Sequence, residues 1–211
     1  EKVDFQGEHY QHPYTGPGSV GLGKALKPIT HPLRRKIPIF IGAEGPKNVT
    51  QTAEIADGWF PLYYSPWRQD VYADQLTGAS DDFQIAVICP FVVTGPTEAE
   101  IAEGLAGIRM MLAFYIGGMG AEGQNYHTKL ASRMGLGDAA LEIQRKFLAG
   151  DQAGAIDAVP ASFADEIALV GPPERIKERL SVWRDSPVTT LLIHASDSHG
   201  LQTAAELVLE G

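Results

Sequence analysis

Residues Pro38 to Leu62 read as one strand–helix–strand unit with almost no slack, and no other stretch restricts the fold as much. Pro38-Ile39-Phe40-Ile41 is a short apolar run without polar alternation, the pattern of a parallel strand buried on both faces. Gly45-Pro46 follows, with proline suited to the first helical position. Val49, Ala53 and Ala56 then recur at i, i+4 and i+7, one face of a helix. Asp57-Gly58 ends that helix, and Trp59-Phe60-Pro61-Leu62 is the next short strand. Two strands joined through a helix in so few residues point to an α/β fold with a parallel sheet.

The alternation continues downstream. A helix is predicted over Pro66 to Leu76, and a long strand over Phe83 to Val93, interrupted by Pro90. Thr97-Glu98-Ala99-Glu100 has the form of a capping box, and Ile101, Leu105, Ile108, Leu112 and Tyr115 mark the helical face behind it. Further helices are predicted near Asn125–Met134, Ala139–Ala149 and Ala153–Val159. Pro172-Pro173-Glu174 opens another, with Ile176, Leu180 and Trp183 on its apolar face. Thr189 to Ile193 is the last strand and Leu201 to Leu209 the last helix.

That makes four strands, each followed by helix, with extra helices before the last strand. A complete (β/α)8 barrel takes about 250 residues and eight such units. The 211 residues therefore read as a single domain holding the C-terminal portion of such a barrel, about strands five to eight, with a doubly wound sheet as the alternative. Residues 1–36, rich in Gly, Pro, His and Tyr, read as an irregular lead-in, with short strands near Val3-Phe5 and His9-Gln11; 37–211 carry the βα units. The chain opens on Glu1 rather than Met, so it is expected to begin partway through a longer product.

A formal charge of -9 disfavours nucleic acid as a partner, since phosphate contacts need clustered Lys and Arg. Arg34-Arg35-Lys36 reads as the solvated start of a strand. The single cysteine, Cys89, lies in the apolar run Ile85 to Val93. It reads as a buried structural thiol, excludes an intrachain disulfide, and suits a reducing cytoplasm. No signal peptide is visible, and no apolar run approaches the about 20 residues of a membrane span.

The junction Ile41 to Asn48 is the most informative for function. In parallel α/β folds ligands sit at the C-terminal ends of strands, where the first amides of the next helix are free and its dipole favours an anion. Gly42 and Gly45 let a ligand approach the backbone, Lys47 places a positive charge in the first turn, and Asn48 offers a side-chain donor. A plain βα turn punctuated by Gly and Pro would look the same.

Other patterns carry less. Gly18 to Lys24 has P-loop spacing, but Ala25 stands where a Ser or Thr should bind magnesium, Pro13 breaks any preceding strand and Pro28 cuts short any following helix. A lid or lead-in loop is the expectation, with Lys24 and Lys27 within reach of a phosphate. His9 and His12 lack a third metal ligand, so no metal site is expected. His194, at the last strand's end, is either an active-site residue or a rim histidine. Tyr126, Lys129 and Arg133 line either the substrate side or a solvated helix face, and Met110-Met111 reads as packing.

Pro38 to Pro66 resembles the bacterial luciferase-like monooxygenase family, most of all its F420-dependent oxidoreductase branch. The core of the likeness is Ile39-Phe40-Ile41-Gly42-Ala43-Glu44-Gly45-Pro46-Lys47 and Ala53-Glu54-Ile55-Ala56-Asp57-Gly58-Trp59. Gly21 to Lys27, Tyr115 to Gly120, Val159-Pro160 and Ala168 to Arg175 are similar in the same order. The resemblance implies a (β/α)8 barrel with F420, or alternatively FMN, at the C-terminal ends of the strands. It implies that Gly42, Ala43, Glu44, Gly45, Lys47 and Asn48 hold the cofactor's phosphate or ribityl chain, flanked by Pro61 and Leu62. Leu62-Tyr63-Tyr64-Ser65 lacks the Lys or Thr that related members use for sugar phosphates. The expected activity is hydride transfer between the deazaflavin and a small organic substrate in a cytoplasmic homodimer, away from nucleic acid and membrane. The first four strands would supply the usual catalytic side chains, so no catalytic residue is assigned. The alternatives are an FMN-dependent monooxygenase, or a non-catalytic half-barrel that binds a partner or a phosphate-bearing ligand.

Overall fold

The computed structural model describes residues 3–25, 27 and 29–209. Leu26 and Pro28, the latter expected to stop a helix, lie outside the described residues. The chain separates into two compact units, residues 1–37 and 38–211. In the first, Phe5–Gln6 (β1) pairs antiparallel with Gln11–His12 (β2). Gly18 to Lys24 is exposed loop for most of its length, and no helix follows it among the described residues, so the P-loop spacing has no P-loop geometry there.

The second unit holds the parallel sheet. Its elements run Phe40–Ile41 (β3), Pro46–Ile55 (α1), Gly58–Trp59 (β4) and Gln84–Val93 (β5). Then come Glu98–Ala113 (α2), Tyr126–Ala131 (α3), Gly137–Leu148 (α4), Gln152–Asp157 (α5) and Ala161–Glu166 (α6). Leu169–Gly171 (β6), Pro173–Arg184 (α7), Thr190–Ala195 (β7) and Ser198–Leu209 (α8) complete it. β3 pairs with β4, β4 with the start of β5, β6 with the end of β5, and β7 with its middle, all parallel. Among the described residues the sheet does not close into a barrel.

β3 and β4 are two residues each, shorter than the apolar runs that predict them. Pro38 and Pro61 flank them without N–H groups to extend the ladder. Gly58 is required where it stands, because a Cβ would meet the Phe40 ring at 2.4 Å and the Gln84 carbonyl at 2.8 Å. β5 runs unbroken through Pro90, which pairs where β7 alone flanks the strand, since β4 ends its pairing at Ile85 and β6 begins at Phe91. There a missing N–H removes least. β6 is a fifth strand that the sequence reading does not anticipate, at three residues too short to show a period.

The predicted helix over Pro66–Leu76 is instead two 3-10 turns, Pro66–Tyr72 and Asp74–Leu76. Arg68 leaves helical dihedrals at φ -126° and ψ 18°, its guanidinium drawn into a fork with Glu166 at 2.6 and 2.9 Å. The same arginine donates to the Met134 carbonyl, and Ser65 Oγ donates to Glu166. A tertiary ion pair thus overrides helical propensity. The Thr97–Glu100 capping box forms as expected, and α2 buries Leu105, Ile108 and Leu112. α2 runs on into a π turn, Phe114–Gly118. The joined 21 residues are long and apolar enough, by length and composition alone, to cross a membrane, which corrects the expectation that no such stretch exists.

One face of the sheet is covered. Ile85, Val87, Cys89 and Phe91 of β5 are buried, as are Ile176, Leu180 and Trp183 of α7. The opposite face is open in part: Ala86 is buried, but the register partners Ile88 and Leu192 are 47% and 43% exposed, and His194, beside Pro90, lies on that exposed side. The edge at β3 is open too, with Phe40 38% exposed and Ile39, just before the strand, 60%. β3 was expected to be buried on both faces; β4 is its only strand neighbour among the described residues.

Cys89 is fully buried, and burial pushes its thiol up to about 12, against smaller opposing effects of the Leu169 backbone and Arg179. Almost no thiolate exists at pH 8. Iodoacetamide at that pH should leave native protein unalkylated and modify it fully after unfolding, as read by mass spectrometry. Native alkylation would contradict this placement.

Candidate functional site

The junction expected to carry function lies where β3 and β4 both end. Gly45 caps α1 with extended dihedrals (φ -71°, ψ 143°), and no side chain caps the helix. Pro46 has no N–H to satisfy, and the first turn carries no acid. The first-turn amides of Lys47 and Asn48 therefore have no intrahelical acceptor. The helix is anchored behind by buried Val49, Thr52 and Ala53, and Thr52 Oγ1 donates to the Asn48 carbonyl at 2.7 Å.

The loop is held from three sides. Buried Trp59 donates its indole N–H to the Ala43 carbonyl at 2.8 Å. Arg133 donates to the Glu44 carbonyl at 2.6 Å. His127 Nδ1 lies 2.9 Å from Glu44 Oε2, and neither atom reaches solvent. The contact is a close approach of imidazole and carboxylate rather than an aligned hydrogen bond.

Together these parts enclose a cleft of about 440 Å³. Gly42, Ala43, Glu44, Gly45 and Asn48 supply its wall from the loop, and Leu62 from the segment after β4. The other lining residues are Phe60, Tyr126 and His127. Lys47 lines a neighbouring groove with Gln51 and Glu54, and Pro61 is buried without reaching the cleft. Six of the eight residues singled out from the sequence are thus brought together. Phe60 and His127 were not singled out, and Tyr126 was left open. Asn125, an N-capping residue type two positions earlier, marks the start of His127's helix, but nothing in the sequence links that helix to Glu44.

Tyr63 follows directly in the left-handed region at φ 57°, which costs a non-glycine residue roughly 1–2 kcal/mol. Its buried ring packs edge-on against Tyr115 at 5.6 Å and His127 at 6.0 Å, and its hydroxyl has no partner. Burial, then the neighbouring Tyr115 and Glu44, raise its phenol far above the ordinary range, so it stays neutral.

Neither cleft glycine is demanded by the chain itself. A Cβ on Gly45 would meet nothing within 4 Å, and one on Gly42 only the Phe60 carbonyl at 3.7 Å. Both have negative φ, unlike the seven described glycines with positive values. The open space and uncapped amides fit a small-molecule ligand with an anionic group at α1. Among the described residues no three His, Cys, Asp or Glu side chains gather as a metal site.

A parallel α/β sheet with a ligand-sized cleft at its strand ends defines the class of protein. The chain belongs to the luciferase-like monooxygenase family, whose model matches residues 1–190. A protein of Mycobacterium tuberculosis carrying the name coenzyme F420-dependent oxidoreductase is 40% identical over 215 residues, covering 98% of this chain and 61% of that protein. The F420-dependent tetrahydromethanopterin reductase of Methanopyrus kandleri superposes with a TM-score of 0.57 at 21% identity, over 82% of this chain and 49% of that one. An F420-dependent secondary alcohol dehydrogenase in complex with an F420–acetone adduct superposes at 0.51 with 10% identity, over 96% and 52%. Both structural likenesses speak for the fold. The chain spans about 61% of the curated relative's length and about half of these two solved chains.

Proposed function

We propose that the chain is the C-terminal part of a (β/α)8 barrel that acts as an F420-dependent oxidoreductase on a small organic substrate. The observation that carries this is the loop Gly42–Asn48, with two glycines that packing does not require, facing a cleft beside an uncapped helix. The names of the relatives support F420 over FMN, which is the alternative with monooxygenase chemistry. In this reading the loop Gly42, Ala43, Glu44 and Gly45, with Glu44 through its backbone, and Asn48 cradle the cofactor's phosphate or ribityl chain, and Leu62 and Phe60 form the apolar wall. Lys47 contributes its backbone N–H rather than its ammonium, and Pro61 braces the wall from behind. F420, when bound, supplies a ring carbon that exchanges hydride with the substrate. The residues of this chain orient it and exclude water.

A cytoplasmic homodimer belongs to the same reading. So does further chain covering Ile88, Leu192 and the β3 edge, where apolar surface is uncovered. That uncovered face also favours the second reading, a half-barrel that binds without catalysing. Fluorescence titration with F420 and with FMN is the test. Saturable binding of F420 tighter than FMN is expected; binding of neither overturns the proposal, and binding without turnover of any substrate selects the second reading.

A further inference from the structure

We propose that His127 is the group with which this cleft recognises the polar end of its substrate, an uncharged molecule bearing a hydroxyl or carbonyl oxygen, and that Glu44 positions it. The inference rests on the cofactor reading above and deepens it, assigning the α3 side of the cleft to substrate.

His127 is held in place from its backbone outward. Buried Asn125 accepts from the His127 N–H at 2.8 Å and donates to the Tyr115 and Ile116 carbonyls at 2.8 and 2.9 Å. The start of α3 is thereby fixed to the π turn after α2. The ring is then bracketed: Tyr115 stands edge-on at 5.0 Å and 89°, and Tyr63 at 6.0 Å and 68°. Glu44 Oε2 takes the Nδ1 position at 2.9 Å. Even without an aligned hydrogen bond, a carboxylate oxygen this close opposes a lone pair on Nδ1 and so favours the tautomer with its proton there. Nε2 is left as the one free polar atom of a ring that lines the cleft. Unprotonated, it accepts a hydrogen bond from a hydroxyl; protonated, the ring donates one to a carbonyl.

The surroundings select the ligand's charge. Phe60, Leu62 and Tyr126 make the nearby wall apolar or aromatic, and among the described residues no Lys or Arg side chain lines the cleft. The Arg133 guanidinium is engaged by the Glu44 carbonyl and lies over the Tyr72 ring at 6.0 Å. The Glu44 carboxylate would repel an anion at this end. The charged and titratable groups around the imidazole are Glu44 from the α1 loop, Tyr63 from the segment after β4, Tyr115 from the π turn and Tyr126 from α3, with Arg133 behind Glu44. An oxygen on an apolar body suits the walls at this end of the cleft, whereas the cofactor's anion belongs at the uncapped amides of α1.

The test uses protein labelled with 15N-histidine, with cyclohexanol, cyclohexanone and glycerol 3-phosphate as probes. In long-range 1H–15N spectra His127 should show the Nδ1–H tautomer without any probe, and Glu44→Gln should mix the tautomers. Cyclohexanol should shift the Nε2 resonance saturably, glycerol 3-phosphate should not, and His127→Phe should weaken cyclohexanol binding about 10-fold, while His127→Gln, which keeps a polar group there, weakens it less. An Nε2–H tautomer in the wild-type protein, or equal responses to cyclohexanol and glycerol 3-phosphate, overturns the proposal. F420 binding with an unmoved Nε2 sinks this inference alone. A probe-dependent shift without F420 binding sinks the cofactor reading and leaves His127 as a binding group.

Discussion

Gly45→Asp is expected to leave the protein folded and to weaken F420 binding about 100-fold. Gly45 has ordinary negative φ, and a Cβ there meets no atom within 4 Å. Aspartate is, if anything, a better N-cap than glycine, since its carboxylate can accept from the second or third helical amide. Unfolding temperature should therefore hold or rise. The same carboxylate would occupy the amides proposed for the cofactor's anion and place like charge beside it. Two unit charges about 5 Å apart at an effective dielectric near 20 repel by roughly 3 kcal/mol, or about two decades in Kd. Gly45→Ala separates bulk from charge and should weaken binding only severalfold. Unchanged affinity for F420 in Gly45→Asp would place the anion site elsewhere.

Trp59→Ala should be the most damaging single change in the second unit. Trp59 is fully buried, with Tyr72 edge-on at 4.7 Å and Tyr64 at 6.2 Å, and its indole N–H holds the Ala43 carbonyl. Removing such a ring costs about 3–5 kcal/mol through lost burial and the cavity left behind. At roughly 2–4 °C per kcal/mol for a unit of this size, the unfolding midpoint should fall by about 6–20 °C. Trp59→Phe keeps an aromatic ring but leaves the Ala43 carbonyl unpaired, for about 1 kcal/mol. Because that carbonyl anchors the cleft loop, Trp59→Phe should weaken F420 binding beyond what its small stability loss explains. Thermal melts and titrations on both variants read this; a Trp59→Ala melt within a few degrees of the parent would contradict the core described.

Much of the architecture was legible because local rules and tertiary packing agree. The apolar faces of α2 and α7, the Thr97 capping box and the β3–α1–β4 unit follow from periodicity and cap chemistry that act over a few residues. The 3-10 turns after Ser65 were not legible, because the Arg68–Glu166 pair that shapes them joins residues distant in sequence. Nor was β6, whose three residues become a strand only by pairing with the end of β5.

The site divides along the same line. The loop from Gly42 to Asn48 could be picked out from the sequence alone, since glycines, proline and a helix start between two strands are local facts with a local physical meaning. Which side chains face the cleft is not a local fact. Lys47 turns to a neighbouring groove, and His127 arrives on a helix distant in sequence to meet Glu44 at 2.9 Å. Sequence determined the backbone cradle, because dihedral preferences and free amides belong to single residues and their neighbours. Only the tertiary structure decided its chemistry, because a carboxylate–imidazole contact depends on the packing of α3 against the loop, which no short stretch of chain encodes.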